Sequence, residues 1–168
     1  KGTDGQVDEA LSRGAVPQAG SRAVRALRGL KGIRFLCCSG AMGEEALREA
    51  GIADYAVAYT APRVTSAEDT RAACRAFLAR GADLILFCGG DGTARDVFDV
   101  VDRTVPILGI PAGVKMYSAV FAVTPDAVRE ILDLPDPPLR DSEVMDVDEE
   151  AYRDGVLATR LHGYARTP

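Results

Sequence analysis

Tryptophan is absent from the 168 residues, and histidine occurs once, as His162. A Ser-His-Asp triad would have to use that residue, which lies in a strand-like tail with no suggestive neighbours, so histidine chemistry is set aside. No run of about 18 apolar residues occurs and the first residues are polar, so neither a membrane span nor a signal peptide is visible and the chain is read as cytoplasmic. Basic residues form no block: the net charge is −5, with Lys and Arg scattered among acids, which argues against a nucleic-acid surface. The four cysteines, Cys37, Cys38, Cys74 and Cys88, have the spacing of neither a disulfide framework nor a zinc site, and read as small buried apolar residues. Also missing are G-x-x-x-x-G-K-[ST] and a G-x-G-x-x-G after a strand, which speaks against a P-loop enzyme and a hydride-transferring dehydrogenase.

What is present is ordinary globular material, 47% hydrophobic and 27% charged, long enough for one domain and the start of another. Short apolar runs alternate with helical patterns. Strands are expected at Ile33 to Cys38, Tyr55 to Tyr59, Asp83 to Cys88 and Val105 to Ile110. Helices are expected at Pro17 to Leu30, Gly43 to Ala50, Ala67 to Arg80, Thr93 to Val101 and Pro125 to Leu132. This βα alternation predicts an α/β fold, a three-layer Rossmann-like parallel sheet. In the helix from Ala67, the residues Ala72, Ala73, Ala76, Phe77 and Ala79 form a narrow apolar face, with Arg71, Arg75 and Arg80 expected toward water. Thr65 with Glu68, or Ser66 with Asp69, fits a capping box at its start.

After Leu134 the run Pro135-Asp136-Pro137-Pro138 can continue neither helix nor sheet, and marks the best boundary in the chain. Residues 1–134 are therefore read as a nucleotide-binding α/β domain and residues 139–168 as the opening of a β-rich second domain. The latter would comprise a strand at Glu143 to Asp148, a turn or short helix at Glu149 to Asp154, and a strand at Val156 to Tyr164. The acids Glu143, Asp146, Asp148, Glu149 and Glu150 read as the wet face of a sheet edge, and no metal site is assigned to them. A chain that begins at Lys1 and stops at Pro168 just after a strand is expected to be a piece of a longer protein.

The chemistry concentrates in Leu84-Ile85-Leu86-Phe87-Cys88-Gly89-Gly90-Asp91-Gly92-Thr93. Ligands of open parallel sheets bind beyond the carboxyl ends of strands, where this loop falls. Glycines can adopt positive φ and leave no Cβ in the way, so phosphates can approach main-chain N–H groups, and the helix starting near Thr93 adds its free amides and positive dipole end. A carboxylate repels what such a loop attracts, so Asp91 needs another task. It can accept a proton from an attacking hydroxyl or help hold Mg²⁺; the structural alternative is a turn in which Asp91 and Thr93 cap backbone groups. Thr93 and Asp96 also fit a capping box, which makes Asp96 structural.

Gly89-Gly90-Asp91-Gly92-Thr93 resembles the GGDGT motif of the NAD kinase, diacylglycerol kinase and phosphofructokinase superfamily. Three further segments resemble the ATP-NAD kinase branch related to the acetoin-catabolism X protein: Ser39 to Gly43, Thr65 to Thr70, and Leu108 to Phe121. The resemblance covers nearly the whole chain. It implies transfer of the γ-phosphoryl of ATP, or of polyphosphate, to the adenosine-ribose 2′-hydroxyl of NAD, with Mg²⁺ arriving on the nucleotide and NADP as product. Asp91 would be the base facing that hydroxyl; Gly89, Gly90, Gly92 and Thr93 would line the phosphates, joined by Thr65. Gly113, Lys115 and Tyr117 would meet the NAD, with the Tyr117 ring on adenine. Pro111 stands where NAD kinases carry Asn, and Pro111-Ala112-Gly113 is closer to the P-x-G turn of lipid kinases.

The resemblance further implies a first strand before Lys1 and a C-terminal β domain with an Asn-acid pair that grips the ribose, so this chain alone is expected to have little or no kinase activity. The parent is expected to be a homo-oligomer that binds small-molecule nucleotides and neither nucleic acid nor membrane. A lipid kinase of the diacylglycerol type, a sugar phosphokinase and a nucleotide-binding regulator without chemistry are the competing readings.

Overall fold

The computed structural model describes residues 18–113, 116–147 and 159–168. In chain order these form α1 (Gln18–Leu27), β1 (Phe35–Cys38), a 3₁₀ turn (Gly40–Met42), α2 (Glu44–Glu49), β2 (Tyr55–Tyr59) and α3 (Ala67–Ala79). There follow β3 (Ile85–Gly89), α4 (Asp91–Val101), β4 (Ile107–Pro111), α5 (Pro125–Leu132), β5 (Arg140–Val147) and β6 (Thr159–Thr167). The alternation expected from the sequence is present, closed by an antiparallel hairpin. The strand at Glu143 to Asp148 starts earlier, at Arg140, and that at Val156 to Tyr164 extends to Thr167. The turn expected at Glu149 to Asp154, and the start of the last strand, lie outside the described residues.

Strand alternation builds the layers. Ile85 and Phe87 of β3 turn toward α3 and α4, where they meet Cys74, Ala94, Val97 and Ile107; Leu84, Leu86 and Cys88 turn toward α1 and α5, beside Ala26, Leu108, Ile110 and Val128. Both faces are thus covered, and β4 is buried along its whole length, as parallel strands require. Gly109 in its middle has a steric reason: a Cβ there would lie 2.3 Å from the Phe121 ring, which crosses the strand. The hairpin shares this core through Val144 and Ala165, and the Thr167 hydroxyl donates to the Ile107 carbonyl at 2.6 Å. Such sharing is needed, because an isolated two-stranded hairpin is marginal in water.

Among the described residues the parallel strands form two pairs and not one continuous sheet. β1 pairs with β2 and β3 with β4, each in parallel, while the facing edges of β1 and β3 are not paired to each other. Between them runs a cavity of about 900 Å³, lined by both strands, by Leu27 and Leu47 on one side and by Ala73 and Phe77 on the other. All four cysteines border it. Burial pushes the Cys38 thiol up to about 12 and those of Cys74 and Cys88 up to about 11, so they behave as the apolar residues the sequence suggests.

Helix starts follow side-chain chemistry. Ser66 is the N-cap of α3, its backbone N–H donating to Asp69 Oδ2 at 2.7 Å, so the box uses Ser66 and Asp69; Thr65 stays outside it. Thr124 caps α5 by accepting from Ala127 N–H at 3.2 Å, with Pro125 at the first helical position. Helix α4 departs from expectation. It begins at Asp91, two residues before Thr93, with Gly90 as N-cap, so Thr93 and Asp96 form no capping box. Asp96 is instead fully buried, one carboxylate oxygen accepting from the Arg71 guanidinium at 2.8 Å. Arg71 therefore points into the α3–α4 contact and not simply toward water, whereas Ala79, expected on the apolar face, is exposed.

Candidate active site

The end of β3 delivers Gly89 and Gly90 to the N-terminus of α4, and β4 runs alongside, with Ala112 N–H donating to the Gly89 carbonyl at 3.1 Å. None of Gly89, Gly90 and Gly92 has positive φ, so left-handed backbone is not their purpose. Gly89 is needed for space: a Cβ would lie 2.4 Å from Thr93 Oγ1, which tucks beneath the strand end. At Gly90 a side chain would meet nothing within 4 Å, so the loop is open there. The amides of Asp91 and Gly92 lie in the first helical turn, where N–H groups have no carbonyl one turn back. They supply the positive helix end expected of an anion cradle.

Asp91 is 8% exposed, and its carboxylate is spoken for in a way no local pattern suggests. Oδ2 accepts from Tyr117 N–H at 2.9 Å and Oδ1 from Ser118 N–H at 2.8 Å. The side chain caps backbone groups, but those of the loop that follows β4 and not those of its own helix. A carboxylate has about four lone-pair directions, so two amides leave room for further donors. The loop in turn is tied onward: Ser118 Oγ accepts from Met145 N–H at 2.9 Å, and Ala119 N–H donates to the Glu143 carbonyl at 2.8 Å. Strand β5 is thus two hydrogen bonds from Asp91.

The remaining expected residues distribute around this centre. Tyr117 is 37% exposed, with its backbone fixed by Asp91 and much of its side chain open to solvent. Gly113 is exposed, and an added Cβ would approach only Met116, at 3.9 Å. Lys115 lies outside the described residues. Thr65 is exposed, just before α3, and borders with Thr93 the mouth of the cavity between β1 and β3, along with Ala41, Met42 and Gly43. The Ser39 to Gly43 turn reaches that mouth because Ser39 N–H donates to the Tyr59 carbonyl at 2.9 Å and Ser39 Oγ accepts from Ala61 N–H at 2.9 Å. Among the described residues no three His, Cys, Asp or Glu side chains converge on a metal position.

Several side chains around the site carry no signal in local sequence. Arg95, in the second turn of α4, binds Asp146 of β5 at 2.6 Å, and Arg160 of β6 reaches the other oxygen at 3.4 Å, so Asp146 is a tie and not part of a wet sheet face. His162 has neighbours after all: Nε2 lies 2.7 Å from Asp99 Oδ1, and its ring meets Phe98 edge-on at 5.7 Å. These contacts fasten the hairpin to α4 at Phe98 and Asp99, about two turns along the helix from Asp91.

The glycine loop at a strand end, the helix N-terminus beside it and the β4 turn that returns across Asp91 coincide with a family model. Residues 15–134 match the ATP-NAD kinase N-terminal domain. The chain belongs to that family. Neither a curated protein nor a solved structure matches it. Membership makes kinase-type phosphotransfer and nucleotide ligands the family-level expectation for the site. Among the described residues no helix is long and apolar enough to cross a membrane.

Proposed function

We propose that the full-length parent transfers the γ-phosphoryl of ATP to the 2′-hydroxyl of NAD, forming NADP. The observation that carries this reading is Asp91: a buried carboxylate at the mouth of a glycine loop, beside a helix N-terminus, with lone pairs left after binding two amides. The hydroxyl proton passes to Asp91 as the oxygen attacks the γ-phosphorus, and the bond from that phosphorus to the β–γ bridging oxygen breaks so that ADP leaves, while Gly89, Gly90, Gly92 and Thr93, with Thr65, hold the donor's phosphates. Mg²⁺ brought with the nucleotide would neutralise part of the phosphate charge that otherwise repels Asp91. Gly113, Lys115 and Tyr117 take the dinucleotide, Tyr117 offering its exposed ring to adenine. The Ser39 to Gly43, Thr65 to Thr70 and Leu108 to Phe121 segments favour the acetoin-catabolism branch, and the parent is taken as a cytoplasmic homo-oligomer.

Residues 1–134 are assigned to the nucleotide-binding unit and 139–168 to the opening of a β-rich one. Among the described residues the facing edges of β1 and β3 are unpaired, and α1 starts beside Cys88, whose thiol donates to the Ala19 carbonyl at 3.3 Å, so a further strand between them would complete the sheet.

One observation favours a second reading, a nucleotide-binding regulator: both Asp91 oxygens already serve the loop. A lipid acceptor is supported by Pro111-Ala112-Gly113 and opposed by the net charge of −5, since bilayer-directed enzymes favour basic surfaces. The deciding experiment gives the purified parent ATP, Mg²⁺ and either NAD or diacylglycerol. NADP formation is expected; phosphorylated lipid without NADP ends the first reading, and nucleotide binding without either product installs the regulator.

A further inference from the structure

We propose that Ser118 is a positioning residue that sets Asp91 by tying its loop to strand β5, so that the hairpin β5–β6 belongs to the active site. The inference rests on the role given to Asp91 above and adds how that carboxylate is aimed. Ser118 is 6% exposed and works in two directions: its N–H donates to Asp91 Oδ1 at 2.8 Å, and its Oγ accepts from Met145 N–H at 2.9 Å. The neighbouring rung, Ala119 N–H to the Glu143 carbonyl at 2.8 Å, fixes the same stretch to the same strand by backbone alone. On the far side, Arg95 to Asp146 at 2.6 Å clamps β5 to α4, the helix that carries Asp91. The four contacts close a ring: α4 to Asp91, Asp91 to the loop, the loop to β5, and β5 back to α4.

A ring of this kind removes the freedom that matters for proton transfer. The acceptor atom must lie within hydrogen-bond reach of the hydroxyl in one orientation, and a carboxylate held by amides on a mobile loop moves with that loop. The backbone rung at Ala119 holds the loop's position; the Ser118 hydroxyl holds the turn just before it, where both amides that grip Asp91 reside. Threonine preserves the acceptor and alanine deletes it, while both keep the N–H to Asp91.

The test uses two readouts. In the chain as it stands, Ser118→Ala should speed hydrogen exchange at the amides of residues 117 and 118 by about five- to tenfold, the consequence of losing one net hydrogen bond, while amides in α1 stay at wild-type rates. Ser118→Thr should restore protection. In the full-length parent, Ser118→Ala should lower kcat for NADP formation about tenfold with the KM for ATP within about twofold, again rescued by Thr. Unchanged exchange at 117 and 118, or acceleration spread equally through α1, overturns the proposal, as does an unaltered kcat. If Ser118→Ala does not fold, Ser118→Cys, a poorer acceptor of similar size, serves the same comparison. A wild type that makes no NADP sinks the phosphotransfer reading, and the exchange data still decide whether Ser118 holds the loop.

Discussion

Strand β4 is buried at all five positions, crossed by the Phe121 ring and capped by the Thr167 hydroxyl; strand β2 has no buried residue, and Val57 at its centre is 37% exposed. The contrast extends to their partners. β3 hands its chain directly to Asp91 and the ring of contacts through Ser118, while β1 meets β2 with a register shift at Cys37 and Cys38 and then faces an open cavity. Both halves present turns at the carboxyl ends of their strands, yet only one is fixed from several directions. Proton and phosphoryl transfer need groups held to fractions of an ångström, so of the two halves the tied one is suited to the chemistry proposed for Asp91.

The largest effect that would test this division is at Arg71. Arg71→Ala withdraws the guanidinium from the fully buried Asp96 and should cost about 3 kcal/mol or more in urea unfolding. Gly109→Ala comes next. Its Cβ would sit 2.3 Å from Phe121, and overpacking of this kind costs about 1–3 kcal/mol, read as a fall in Tm. A tolerant Gly109 would break the claim that β4 is fully committed.

Gly89 to Thr93 stood out because an apolar strand, a glycine turn and a helix start are contiguous, and each has a local signature. The partners of Asp91 were invisible for a physical reason: they are backbone amides 26 and 27 residues away, and an amide leaves no trace in residue identity. Of the two freedoms glycine offers, positive φ is not used at Gly89, Gly90 or Gly92, while the missing Cβ is: Gly89 provides room for Thr93, a tertiary contact that depends on where α4 begins. Arg71 was read outward from helical periodicity, which cannot know that α4 presents a buried carboxylate. The split between β1 and β3 likewise lies beyond periodicity, which reports strands and not their neighbours.

Smaller effects sharpen the comparison from the other half. Asp69 at the start of α3 is held below its ordinary carboxylate value, first by the Tyr59 hydroxyl, then by the Ser66 amide and hydroxyl. A depressed folded-state pKa contributes stability that is present above the unfolded value, near pH 4, and is lost as pH falls through the folded one. Thermal melts should therefore separate wild type from Asp69→Asn at neutral pH and draw together as the pH is lowered through the depressed folded-state pKa. A gap that persists in acid would show the carboxylate charge to be irrelevant there. The smallest change is expected at Val57. Val57→Ser should stay within about 0.5 kcal/mol, as exposed positions do, and a larger loss would mean that β2 is covered by something that pairs with it in solution.

The account's central claim is that Asp91 both anchors the loop after β4 and takes the proton of the attacking hydroxyl. It is tested most directly by NADP formation in the full-length parent carrying Asp91→Asn, a change that keeps the size of the side chain and removes its basicity. The account predicts that kcat falls by about a hundredfold or more while ATP still binds. Turnover of NAD at the wild-type rate would contradict it.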